Sequence, residues 1–313
     1  MKKLLIIKSL LPLLIASSLF GGSIGVNYVN SYRQKSGMKA LHYSKVLSKA
    51  SYGHAKYLGR LRLNSHTQSP RNPYFTGQTP SDRIARAGFG SRVGVENISF
   101  GERSYKKSVD NLFGTIYHRL AFLDFRIDSI GSSAYGPKAG KVYVYDMGSS
   151  AISRICKRDF KNIGGEYVFG VCRDKNRKIP LSLMQRTLKR VESQNSKVVI
   201  FPYSGAVVGR KFVNENPNPF GRKVKMGFPV SVELNPAFYS WAKLKRFEIF
   251  DGRGRKLKGK ILDSRRDIHR KISPLTFFLI PTQVLKSGQK YRVKFIAQTN
   301  RGTIKREWSF RVK

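Results

Sequence analysis

Residues 214–223, NENPNPFGRK, constrain the fold more than any other stretch, because the hydrophobic pattern changes across them. Before them the spacing is helical. In SYKKSVDNLFGTIYHRL, Val109, Leu112, Phe113 and Ile116 fall at i, i+3, i+4 and i+7, which makes one apolar helix face. After them FPVSVELNP, KRFEIFDGRGRKLKGKIL, TFFLIPTQVL and KYRVKFIAQTNRGTIKREWSFRVK read as short strands closed by Asp-Gly and Asn-Arg-Gly turns. Strands at that spacing predict an antiparallel β-sandwich. The Asn/Pro/Gly cluster between the two patterns reads as a linker.

The long stretch from Val26 to Gly148 predicts helices first and then a strand, KVYVYDMG, rich in Val and Tyr. TPSDRIARAGF within it offers a Ser/Asp helix start and a Gly stop. From Ser149 the signals mix: a short helix carrying Leu181, Met184, Leu188 and Val191, then a strand, KVVIFPYSG.

The first residues read as a targeting segment. Lys2, Lys3 and Lys8 precede an apolar run from Leu10 to Phe20, too short to span a membrane, followed by small residues with cleavage positions near Ser18 or Ser23. Export is the expectation, with an uncleaved N-terminal anchor as the alternative. In an oxidising compartment Cys156 and Cys172, the only two cysteines, form a disulfide around a fifteen-residue loop. Such a bridge stabilises by about 3 kcal/mol in the chain-entropy picture.

Sixty Lys and Arg against eighteen Asp and Glu give a net charge of +42. Residues up to Ser150 carry 22 basic and 7 acidic side chains, a net +15; the remainder carry +27. No run of five like charges occurs, so the charge describes a diffuse positive surface rather than a nucleic-acid-binding tail. Two readings stay open: a solvated coat without a partner, or contact with an anionic envelope polymer through residues such as Lys256, Lys258, Lys260, Arg265 and Arg266. Basic recognition helices, paired zinc-finger spacings and an aromatic RNP-like strand are all missing, so specific nucleic-acid binding is not expected. GGSIG at 21–25 imitates a hydrolase elbow but has no core strand before it.

Four of the five histidines, His42, His54, His66 and His118, precede Gly148, together with Glu96 and Glu102. His54, in GHAKYL, reads as a packed residue of a helix. His66, Glu96 and His118 stand 30 and 22 residues apart, so neither spacing nor periodicity singles them out.

What singles them out is a resemblance. VNYVNSYRQKSGMKAL, HAKYL, LNSHTQSP, TPSDRIARAGF, GVENISFG, SVDNLFGTIYHRLAFLDFRIDSIG and VYVYDMG occur in the order found in bacterial members of the CAP superfamily, the SCP-like domain shared with cysteine-rich secretory proteins, insect venom antigens and plant pathogenesis-related proteins. The resemblance implies an α-β-α sandwich with a cleft lined by two histidines and one or two glutamates. His66 of NSHTQ, Glu96 of VENI and His118 of the segment written Trp-Met-x-Ser-Pro-x-His-Arg in the family match those positions. Val95 replaces the usual glycine, Leu112 the usual aromatic, and the family's second glutamate falls at Thr115. The C-terminal strands resemble a small Ig-like module.

The expected class is therefore α+β, a CAP-type α-β-α sandwich followed by an antiparallel Ig-like β-sandwich. The expected divisions are a signal peptide at 1–23, the CAP domain at 26–150, a connecting region with a disulfide and extension strands at 151–225, and the Ig-like domain at 226–313. Two functional classes are weighed. In one, the protein binds a small or extended ligand in its cleft; in the other it is a metal-assisted hydrolase of envelope or extracellular substrates, with His66 and His118 holding a zinc-like divalent metal and Glu96 polarising a water. The missing second carboxylate and the absence of an independent nucleophile favour binding.

Overall fold

The structure, a computed structural model, describes residues 11–138, 140–160 and 164–313, with side chains from residue 23 onward. Lys2, Lys3 and Lys8 of the expected targeting segment, and the side chains at Ser18 and the preceding apolar run, lie outside it. Among the described residues no helix is long and apolar enough to cross a membrane.

Seven helices are present among these residues: α1 Leu11–Lys35, α2 Lys45–Leu61, α3 Pro80–Ala87, α4 Tyr105–Phe113, α5 Tyr117–Phe122, α6 Ser150–Ile155 and α7 Leu181–Glu192. Their ends are chemically specified. Ser44 and Ser104 accept from backbone N–H groups in the first turns of α2 and α4. α3 starts one residue earlier than the Ser/Asp signal suggests: Thr79 caps it in a reciprocal pair with Asp82, and Gly88 closes it at φ 110°. The apolar face expected from Val109 to Ile116 is fully buried but not one helix. α4 stops at Phe113, Gly114 and Thr115 turn the chain, and α5 begins at Tyr117, so His118 sits in a first helical turn.

Strands β1 His42–Tyr43, β2 Gly94–Glu102, β3 Ser129–Tyr135 and β4 Lys141–Gly148 form a sheet in the order β1-β3-β4-β2. Alternation along these strands gives it two apolar faces. Ile98, Val142 and Val144 pack with Ala55, Tyr57 and Leu58 of α2; Ile130, Tyr143, Tyr145 and Met147 pack toward α1, α4 and α5. This is the expected α-β-α sandwich. Gly131 is required in β3, because a Cβ there would collide with the backbone of α2 at Leu47 and Ser48.

Cys156 and Cys172 are bonded, with Cα atoms 5.5 Å apart, and bury against Ile152, Phe160 and Ile179 beside a small pairing of β5 Tyr167–Val168 with β6 Ile179–Pro180. The remaining strands are β7 Val198–Phe201, β8 Val207–Val208, β9 Val230–Leu234, β10 Ala242–Phe250, β11 Gly259–Leu262, β12 Thr276–Pro281, β13 Lys290–Thr299 and β14 Gly302–Val312. They form two four-stranded sheets, β11-β12-β9-β7 and β10-β13-β14-β8. All their pairings are antiparallel except β14 with β8, which is parallel. A single apolar core continues from Val26 and Val29 of α1 through Phe113 and Phe122 to Phe201, Val230 and Phe295, so sandwich and sheets share one interior. Arg119 pins that junction: fully buried, it donates to Phe113 O, Pro229 O and Ser231 Oγ and lies against the Phe201 and Phe228 rings.

Candidate functional site

β2 is the edge strand of the first sheet, and its alternation splits the site across that edge. Glu96 points to the side of α2 and α3; Asn97, the next residue, points the other way and donates to His118 O of α5 at 2.8 Å. One open cleft of about 500 Å³ straddles the edge, lined among others by His66, Val95, Glu96, Tyr117 and His118. All three residues matched to the family cleft therefore come together.

On the first side, His66 Nδ1 donates to Glu96 Oε1 at 2.8 Å, and Arg83 donates to Glu96 Oε2 at 2.6 Å. Arg83 also reaches His66 O. Glu96 is buried, which by itself would raise its pKa; the His66 hydrogen bond and the Arg83 charge outweigh that and hold it below the usual carboxylate range. Asp146, opposite Glu96 in the β2–β4 register, has the reverse fate. Burial and the neighbouring Glu96 charge raise it well above the usual range, and Ser51 donates to one of its oxygens. His54 is a packed residue, as its helical setting suggests. Its Nδ1 accepts from Gln68 and its Nε2 donates to Ser65 O, and burial pushes it down to about 4, so the ring is neutral.

On the second side, the partner of His118 comes from far along the chain. Glu215, in the NENPNPFGRK stretch, accepts from His118 Nδ1 at 2.9 Å and from the backbone N–H groups of Ile116, Tyr117 and His118. Those N–H groups are the unpaired donors at the start of α5, so one carboxylate caps the helix and orients its imidazole. Thr115 stands 3.4 Å from the same nitrogen, a longer and weaker contact than that of Glu215. The same junction of α4 with α5 is braced by Tyr117, whose hydroxyl donates to Asp267, and by Asn216, Pro217 and Lys271, which wall the cleft.

Sequence reasoning missed Glu215, Arg83 and Asp146. A lone acid in a Pro/Asn loop of a very basic chain was the available signal for Glu215, but nothing in the spacing says that it reaches His118. The other candidates lie elsewhere: Glu102 accepts from Asn111 at the far end of β2, His42 is exposed on β1, and His269 bonds to Asn218 O.

The donors do not form the ligand set expected for a zinc-like ion. Among the described residues no three His, Cys, Asp or Glu side chains are gathered as metal ligands, and both Glu96 oxygens are committed, one to His66 and one to Arg83. What the arrangement provides is two imidazoles oriented alike. Each turns Nδ1 toward a buried carboxylate, so that Nε2 is the nitrogen this pairing leaves uncommitted.

Residues 26–147 match the sequence model of the CAP, or cysteine-rich secretory protein, family. No curated protein sequence matches the chain. Among solved structures, an outer surface protein from Borrelia burgdorferi aligns at 21% identity and TM-score 0.36, over 41% of this chain and 90% of that one. An extracellular protein containing a SCP domain from Bacillus anthracis aligns at 20% identity and TM-score 0.39, over 45% of each chain.

Proposed function

We propose that this chain, in which residues 26–147 form a CAP domain, is an exported binding protein that captures an extended polar ligand in the cleft at the edge of β2. The observation that carries this reading is the pair His66–Glu96 and His118–Glu215: two carboxylate-oriented imidazoles facing one cleft from opposite sides of an edge strand. An edge strand has one row of backbone donors and acceptors without a strand partner, and here Val95, Glu96 and Asn97 line the cleft. Extended chains are recognised by such edges.

The hydrolytic reading is the weaker one. Glu96, the residue it would use to activate water, is held ionised by Arg83 and His66, and a depressed pKa makes a poor general base. The net charge of +42 supports a second contact, with an anionic envelope polymer, which would concentrate the protein where its ligand lies.

Capture of a mixed-sequence peptide library tests the cleft. Retention by the wild type and loss in the His66→Ala/His118→Ala variant, without new amino termini, is the expected result; release of new termini would make the protein a hydrolase. For the surface, binding to polyphosphate should weaken steeply as salt rises. Equal affinity at low and high salt would leave the charge as a solvated coat.

A further inference from the structure

The cleft does not end at His118. A second cavity of about 300 Å³ lies against it along α5 and shares Leu120, Asp124 and Lys271 as a common wall. Beyond them it is lined by Glu192 at the end of α7 and by Glu233 on β9. In a chain with only eighteen acidic residues, three line this one cavity.

We propose that this cavity is a subsite for an organic cation, a guanidinium or ammonium group, with the Glu233 carboxyl as its receptor. Glu233 is only 5% exposed, and its Oε1 is buried with no hydrogen-bond partner. A buried acceptor left unmade costs stability unless something returns the bond. The neighbouring charges do not supply it. Arg119 acts on Glu233 through its charge, and its Nη2 is likewise buried without a hydrogen-bond partner, but no hydrogen bond joins the two; its bonded nitrogens go to Phe113 O, Pro229 O and Ser231 Oγ, and Arg33 donates to Lys39 O and Phe122 O. Asp124 is taken by Arg126, with contacts of 3.0 and 2.7 Å, and Lys271 lies over the Tyr117 ring. A cation in this cavity therefore meets the Glu233 carboxyl, whose Oε1 lacks a hydrogen bond, and the half-buried Glu192.

Proton linkage sharpens the assignment. Burial pushes Glu233 up to about 8; the Arg119 and Arg33 charges lower it and Asp124 raises it, while Glu192, Arg126 and Lys271 also face the cavity. A bound cation favours the ionised carboxylate, so binding expels a proton. Below about pH 8 affinity should rise on the order of tenfold per pH unit and then level off.

That this subsite receives one end of the extended ligand rests on the binding reading above; the cation subsite itself does not. The probe is ethylguanidinium, which stays charged throughout this range, titrated into the full chain at pH 6, 7 and 8 with ethylurea as its neutral isostere. The expected result is binding of the cation alone, tighter at higher pH, with the rise with pH abolished and affinity lowered at least tenfold in Glu233→Gln. Equal binding of ethylurea, or full affinity in a folded Glu233→Gln variant, overturns the proposal. Should Glu233→Gln not fold, Glu192→Gln must weaken the cation several-fold, and unchanged affinity there is equally fatal. The probe is too small to need His66 or His118, so its failure removes the subsite alone, whereas lost discrimination in the peptide-capture assay removes the cleft reading.

Discussion

The two sides of the cleft solve the same problem with material from different distances. His66 is tied to Glu96, 30 residues away, within the segment that matches the CAP family; His118 is tied to Glu215, 97 residues away and outside that segment. The first side is backed by charge: Arg83 neutralises Glu96, and Asp146, whose pKa burial raises, lies behind it. The second is backed by backbone: three N–H groups opening α5 converge on Glu215. A buried carboxylate can be held by a cation or by several amide donors, and this protein uses one device on each side. His66 remains 45% exposed and His118 only 15%, so the first imidazole is the more accessible and the second the more rigidly placed.

Removing one partner on the charged side should cost most. Arg83→Leu strands a buried Glu96 and is expected to destabilise by about 3–5 kcal/mol, read by denaturant unfolding; a loss below 1 kcal/mol would mean that Glu96 is not held by Arg83. Replacing both Cys156 and Cys172 by Ala should cost about 3 kcal/mol yet leave the NMR signals of His66 and His118 in place, since the bridge lies in a separate cluster beside α6. Glu215→Ala removes a helix cap and should cost about 2 kcal/mol, with the His118 ring losing its Nδ1–H preference while His66 keeps its own. Glu215→Gln, which retains an acceptor, should recover most of that stability. If the His118 tautomer is unchanged in Glu215→Ala, the second side is not built as described.

The pH dependence separates the sides further. A carboxylate depressed in the fold contributes stability that is present above the ordinary carboxylate range and lost as pH falls through its lowered pKa. Glu96 is such a group, so Glu96→Gln should flatten the acid limb of the stability curve. Asp146 is raised, and its contribution is present in acid and lost as pH rises through its folded pKa. Asp146→Asn should therefore help more in alkaline than in acid solution. The smallest effect belongs to His66→Gln: a half-exposed ring, its loss should change stability by less than about 0.5 kcal/mol while weakening ligand capture.

Much of the fold was legible because its signals are local or ordered. Thr79, Pro80, Asp82 and Gly88 specify the ends of α3, and the alternation in KVYVYDMG specifies β4. His66, Glu96 and His118 were reached only through the ordered resemblance of seven segments, since their separations carry no periodicity. The break of the α4 pattern at Gly114 was visible as a glycine but not as a boundary. An apolar residue at Ile116 continues the helical spacing whether or not the backbone does.

The amino-acid order alone determined an α+β chain: an α-β-α sandwich with its His66, Glu96 and His118 positions, a disulfide between Cys156 and Cys172, and a set of antiparallel strands after residue 223. The helix faces and strands follow from side-chain period and turn chemistry, the disulfide from two cysteines in a chain expected to be exported, and the sandwich with its three site positions from the family resemblance of seven ordered segments. Only the tertiary structure decided that Glu215 stands behind His118, that Asp146 and Glu96 share one buried place with pKa values moved in opposite directions, and that Glu233 Oε1 lies without a hydrogen bond beside the cleft. The reason is that burial and electrostatic pairing depend on distance in space, and residues 118 and 215 are neighbours because both sets of sheets pack on one core.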